Sequence, residues 1–310
     1  MNTLHEAARD YLAMRRTLGF RLHAAGKALP NFVSFLESRQ ANFISTSLAM
    51  EWAQQSASTQ RSQWAKRLCY VRGFARYRSA TDERTEIPPS GLLPHRSKRA
   101  QPYLYTEIEI QRLLEASLDL SPENGLRRWT YYCLFGLLFV SGMRVSEAIG
   151  LKTENVDLVE GILKVEGSKF GKSRLVPLHP STLQVLLDYK RRRDLLLNDR
   201  SCPYFFISEK GGRLGGSTVR TTFLILSRKI GLREAHAKKG PRLHDARHLF
   251  AIRILLHWYR DGEDVERQLP LLSTYLGHVN IDCTYWYLTA CPELMGASVE
   301  RLEQRWEDKL

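Results

Sequence analysis

Residues 153–178, TENVDLVEGILKVEGSKFGKSRLVPL, decide the fold class. They hold three β-like runs, Thr153–Leu158, Ile162–Glu166 and Ser173–Leu178, in a chain otherwise dominated by helical spacing of apolar residues. The second and third runs are joined by the turn-rich hexapeptide GSKFGK at 167–172, which predicts a hairpin. Upstream, 106–116 and 126–140 read as helices, and a short helix follows Gly142. The greasiest run, Tyr131–Val140, is too short to span a bilayer and reads as a buried helix. From Pro180 onward the pattern is mostly helical, with Tyr204–Ile207 as a possible extra strand. This part is mixed α+β, mainly helical, with a small antiparallel sheet.

Before it lies a break, IPPSGLLPHRSKRAQP at 87–102, whose four prolines resist helix and central strand. Arg96, Lys98 and Arg99 keep the stretch solvated, so it reads as a basic interdomain linker, either lying along a polyanion or serving as a soluble connector. Residues 1–87 show only helical patterns, at 3–17, 23–38, 45–56 and 59–79. The predicted organisation is an all-α domain at 1–87, a linker at 88–102 and the α+β domain at 103–310. In the fourth helix Trp64, Leu68, Val71 and Ala75 form one apolar stripe flanked by Arg61, Arg72 and Arg76. Six basic residues (61, 66, 67, 72, 76 and 78) face no acidic one, a pattern of phosphate contact or of a solvated face.

At 310 residues the chain is ample for two domains, and 43% hydrophobic residues rule out wholesale disorder. Against 46 Lys and Arg stand 33 Asp and Glu, a net charge of +13 that favours a polyanionic partner. Five scattered cysteines without a CxxC pair argue against a disulfide framework or thiolate zinc site and suit a reducing compartment. With no apolar signal core in MNTLHEAARDY, the expectation is a soluble cytoplasmic protein.

Four stretches of the second domain can carry chemistry: SGMRVSEAIGL (141–151), GSKFGKSRLVPL (167–178), LHDARHLFA (243–251) and LGHVNIDCTYWYL (276–288). Singly each has a plain alternative. Arg144 is a site residue or a partner of Glu147, Lys169 and Lys172 are solubility residues by default, and Tyr285 and Tyr287 are packing aromatics. His244 and His248, spaced i, i+4, raise metal binding. The zinc-protease helix, however, needs Glu where Asp245 stands, and no third ligand is evident. Together the set points to phosphoryl transfer. Two Arg forks can hold the non-bridging oxygens of a phosphodiester, a hairpin Lys can protonate a leaving alkoxide, His can shuttle a proton and Tyr can attack. With neither a carboxylate cluster nor a Gly-rich phosphate loop, no metal and no cofactor are expected.

The order Arg…Lys…His-x-x-Arg-His…Leu-Gly-His…Tyr resembles the tyrosine recombinase (phage integrase) family of simple two-domain type. So does the opening segment YLYTEIEIQRLL at 103–114. The resemblance spans essentially the whole chain, with 1–87 similar to the helical core-binding domain. It implies that Arg144 and Arg247 clamp the scissile phosphate, that Lys169 is the hairpin general acid with Lys172 as fallback, and that His244 fills the first His position. His248 would be a supporting neighbour, His278 the last His, Tyr287 the nucleophile and Glu147 the support of the Arg144 helix. DNA contacts are expected from Arg61, Lys66, Arg67, Arg72, Arg76, Arg96, Lys98 and Arg99.

The chain departs from compact relatives in a long 256–269 stretch and in TYWYLTA, where Tyr285 precedes the nucleophile by two residues. The implied function is site-specific recombination through a 3′-phosphotyrosyl intermediate, for integration, transposition or resolution of a mobile element. Double-stranded DNA with inverted-repeat core sites would be the partner. A DNA-bound dimer and tetramer would exchange a C-terminal helix, with accessory recombinases possible and no membrane partner. The rivals are a type IB topoisomerase-like relaxing enzyme and a non-catalytic DNA-binding regulator on the same fold.

Overall fold

The computed structural model describes residues 3–55, 61–93, 101–167, 173–198, 200–237, 239–289 and 292–307. The chain divides into two compact units, 1–100 and 101–310.

In the first unit the described elements are helices: α1 (Leu4–Thr17), α2 (His23–Ser38), α3 (Thr46–Gln54) and α4 (Arg61–Arg78). Thr3 and Glu6 cap α1 reciprocally, satisfying backbone donors that a helix start leaves open. Ser45 caps α3 in the simpler way, accepting from the Leu48 N–H. The core centres on Phe32 against Trp52, ring centroids 5.0 Å apart, with Leu68, Val71, Phe74 and Ala75 of α4 packed around it. The α4 stripe is therefore carried by Phe74 as well, while Trp64 is only partly buried. Leu93 also joins this core, so the described part of the proline-rich stretch packs on the first unit.

The second unit is built round α6 (Leu126–Ser141), which packs against α5 (Glu107–Leu118), α8 (Pro180–Leu197) and α10 (Asp245–Arg260). A helix enclosed on three sides needs apolar residues nearly all round, which is why Tyr131–Val140 carries so few polar groups. Glycine 142, at φ +60°, ends α6 and leads to the one-turn α7 (Val145–Ala148). The sheet runs β1 (Val156–Asp157), β2 (Ile162–Val165) and β3 (Arg174–Pro177), antiparallel in that order, with Lys164 opposite Leu175. Residues 153–155, expected as strand, form a 3₁₀ turn instead. Tyr204 and Ile207 make only isolated bridges, to Lys152 and Arg213; Phe205 and Phe206 turn wholly into the core, so aromatic burial, not strand pairing, shapes this segment.

After α9 (Gly216–Lys229) and α10 come α11 (Val265–Leu276), α12 (Asp282–Tyr285), a 3₁₀ turn at Trp286–Thr289 and α13 (Pro292–Glu307). The long stretch at 256–269 ends α10 and opens α11, with a turn at 261–264 between them. Ile252, Leu255, Leu269, Leu276, Tyr287 and Leu294 form a separate core under the last four helices. No helix among the described residues is long and apolar enough to cross a membrane.

Candidate active site

The site gathers at the ends of elements where backbone carbonyls lie open. Arg144 stands at the start of α7; its Nη1 donates to Glu147 Oε1 at 2.6 Å and its Nη2 to the Gly277 carbonyl at 2.9 Å. Its backbone N–H donates to the other Glu147 oxygen. Arg174, at the head of β3, donates to the same carboxylate with both Nη atoms, at 3.1 and 2.7 Å. Burial would raise the Glu147 pKa, but the Arg174 bonds, the Arg144 backbone N–H and the guanidinium charges outweigh it and bring the carboxyl down to about 2. A single carboxylate thus serves two arginines and leaves a net positive charge.

Arg247, in the first turn of α10, is 2% exposed and donates to the carbonyls of Gly142 and Leu276. Burial and the neighbouring Arg144 charge lower its pKa to about 10, so it stays protonated at neutral pH. Gly277 ends α11 at φ +65°, and a Cβ there would stand 3.0 Å from Arg174 Nη1. The positive φ favours glycine at this corner, and any side chain there would also press on the Arg174 guanidinium.

Tyr287 is 2% exposed, whereas Tyr285 is 44% exposed, so burial separates the two candidate nucleophiles. The Tyr287 hydroxyl lies 3.2 Å from His248 Nδ1, and its ring stacks on His278 with centroids 6.1 Å apart. Burial raises the phenol pKa while Arg247 and Arg144 oppose the rise. His278 Nδ1 lies 2.8 Å from the Thr284 hydroxyl, which fixes the ring plane. Burial, then the charge of Arg247, lowers both His244 and His278, the latter to about 4; His248 is also lowered to about 4, by burial and then by His244. The His244 and His248 rings meet edge-on at 4.8 Å.

Among the proposed site residues, Arg144, Glu147, His244, Arg247, His248, His278 and Tyr287 come together, while Lys169 and Lys172 lie outside the described residues. Sequence reasoning overlooked Arg174, Thr284 and Trp286; Arg174 was legible only as the marker from which Lys169 was counted. On α4, Lys66 and Arg76 are exposed, and Arg67 lies over the Trp52 ring at 4.0 Å. Arg72 donates to the carbonyls of Pro88 and Pro89, both at 2.6 Å, and so pins the proline stretch. Arg96, Lys98, Arg99 and the Arg61 side chain lie outside the described part.

A buried and a partly exposed guanidinium, three imidazoles whose proton affinity burial lowers and a buried phenol make a pocket suited to an anion beside an oxygen nucleophile. Residues 104–293 match the model of the phage integrase family. The chain belongs to the phage integrase family. A putative integrase/recombinase, y4rB, of Sinorhizobium fredii (strain NBRC 101917 / NGR234) is 53% identical over 100% of both chains. The tyrosine recombinase XerD of Neisseria meningitidis serogroup B (strain ATCC BAA-335 / MC58) is 33% identical, covering 74% of this chain and 72% of its own. The XerH site-specific recombinase, in a post-cleavage complex with its palindromic difH substrate, shares the fold. Its TM-score is 0.64 at 18% identity, covering 86% of this chain and 75% of that one. This phage integrase family member is a tyrosine site-specific recombinase, an enzyme of DNA strand breakage and rejoining.

Proposed function

We propose that this integrase moves or resolves a mobile DNA element by strand exchange at inverted-repeat core sites in the cytoplasm. The observation that carries the reading is the convergence of Arg144 and Arg247 with the buried Tyr287 hydroxyl. The two guanidiniums hold the non-bridging oxygens of the scissile phosphate and stabilise the charge that grows on them in attack. Tyr287 Oη attacks phosphorus, the 3′-phosphotyrosyl bond forms and the 5′-oxygen leaves with a proton from Lys169 on the hairpin. A 5′-hydroxyl from the partner strand then reverses the step. The bond energy stays in the phosphotyrosine, so rejoining needs no nucleotide.

Residues 1–87 serve as the core-binding domain, with Lys66 and Arg76 among its phosphate contacts, and 88–102 as the linker. Assembly draws on α13, the exchange helix. Leu294 is buried and Ser298 donates to the Tyr259 hydroxyl at 3.0 Å, whereas Met295 and Val299 are 55% and 52% exposed. That exposed apolar pair supports docking on a second protomer, and head-to-tail docking closes into a ring on paired sites.

The test is a plasmid carrying two copies of the DNA that flanks the chain's own reading frame. Deletion or inversion between the copies supports recombination. Relaxation of supercoils without a recombinant product would replace it with a type IB topoisomerase-like activity, and binding without any covalent product with a regulator.

A further inference from the structure

Trp286 immediately precedes Tyr287 on the same 3₁₀ turn, and its ring meets two partners at once. Its centroid lies 5.2 Å from His248, edge-on, and 5.4 Å from Tyr287. His248 and Tyr287 are themselves 5.5 Å apart, so the three rings close a triangle. Within it the Tyr287 hydroxyl faces His248 Nδ1 at 3.2 Å. We infer that His248 receives the phenolic proton of Tyr287 during strand cleavage and that Trp286 is the positioning residue that holds the imidazole in place. The inference rests on the strand-cleavage reading above.

Geometry and charge agree on the direction of transfer. For Nδ1 to accept, the imidazole must be neutral with its proton on Nε2. The groups facing it are His244, Asp245, Arg242, Arg247, His278 and Tyr287. Burial, to which Trp286 contributes by covering one ring edge, is the largest influence keeping the ring neutral; Asp245 alone among its charged neighbours opposes it. As Oη bonds to phosphorus the phenol becomes strongly acidic, and a phosphate anion between Arg144 and Arg247 offsets their repulsion of an imidazolium. The Oη–P bond forms, the P–O5′ bond breaks, the phenolic proton passes to Nδ1 and the leaving alkoxide takes a proton from the general acid. In rejoining, the attacking 5′-hydroxyl returns its proton to that acid and the imidazolium returns its own to the phenolate.

The experiment follows single-turnover formation of the covalent complex by the full chain on a nicked suicide duplex selected from random DNA by binding. His248→Gln is expected to slow cleavage by about 10²–10⁴-fold, the range for a positioned proton acceptor, with duplex affinity within about twofold. Trp286→Leu is expected to slow cleavage and move the acid limb of the pH–rate profile upward by about one unit, as a less buried imidazole regains affinity for protons. Trp286→Phe should keep that limb where the intact chain has it. A merely structural tryptophan would lower the amplitude and leave the limb in place, which would overturn its positioning role. Cleavage by His248→Gln as fast as or faster than the intact chain would mean that the bond only parks the phenol, and would overturn the role of His248. No covalent product from the intact chain would instead sink the strand-cleavage reading itself.

Discussion

Arg174 grips Glu147 with both terminal guanidinium nitrogens, at 2.7 and 3.1 Å, and the same carboxylate holds Arg144 at 2.6 Å. The head of β3, the start of α7 and the Gly277 corner are thereby fastened at one point. Arg174 and Glu147 are nearly buried, at 8% and 6% side-chain exposure, while Arg144 keeps 22% for an incoming ligand. The nearly buried pair orients the more exposed arginine.

Glu147→Gln leaves Arg174 buried without its counter-charge. Removing one member of a buried pair costs about 3–5 kcal/mol, so the urea midpoint should fall by the equivalent of at least about 3 kcal/mol. A loss under about 1 kcal/mol would show that water or another acceptor takes the place of Glu147. Covalent-complex formation should fall too, because Arg144 loses its fixed orientation.

Acid should destabilise the protein in two stages. His248 and His278 titrate near 4 in the fold against about 6.5 in the unfolded chain, so unfolding takes up protons and stability declines as pH falls from about 6.5 to 4. Glu147 is lowered to about 2; its contribution is present above its unfolded value of 4.5 and is lost as pH falls from there toward 2. Each window corresponds to about 3 kcal/mol per group at most. Chemical denaturation across pH 3–8 checks this, and a stability flat from 8 to 5 would contradict the burial of the histidines.

The two faces of α13 should separate by substitution. Leu294→Ala removes a wholly buried side chain and should cost about 2–4 kcal/mol. Met295→Asp with Val299→Asp should leave thermal stability and single half-site binding unchanged but abolish cooperative filling of the second half-site and the recombination synapse. Deleting 296–310 should do the same to cooperativity. Native gel shifts read the outcome, and full cooperativity in either variant would mean that the tail packs only on its own protomer.

Lys169→Ala should slow cleavage by about 10²–10⁴-fold, and a substrate with sulfur as the leaving atom should restore much of the rate. Lys172→Ala should act as a mild DNA-contact change. Sulfur rescue of the second variant and not the first would exchange their roles.

Local patterns were legible in the sequence because local physics makes them. The hairpin showed in β-runs around a turn, α6 in its unbroken apolar stretch, and the Arg144, Arg247, His278 and Tyr287 segments in their order along the chain. What sequence did not reveal depends on distant partners. Thr284 matters because His278 lies against it, and Trp286 because α10 presents His248 to its ring. Arg174 sits in an ordinary strand until Glu147, 27 residues earlier, folds onto it. Residues 204–207 have strand-like composition, yet their aromatic rings are taken up by the core. Position after His278 favoured Tyr287 over Tyr285, and the two also differ in burial, at 2% and 44% exposure.

The choice between those tyrosines is also the most direct test of the account. A nicked suicide duplex should trap the full chain covalently, and mass spectrometry of the digested complex should place the nucleotide on Tyr287. Tyr287→Phe should abolish the trapped complex while keeping duplex affinity, and Tyr285→Phe should retain it. A nucleotide on Tyr285, or a trapped complex that survives Tyr287→Phe, would contradict the account.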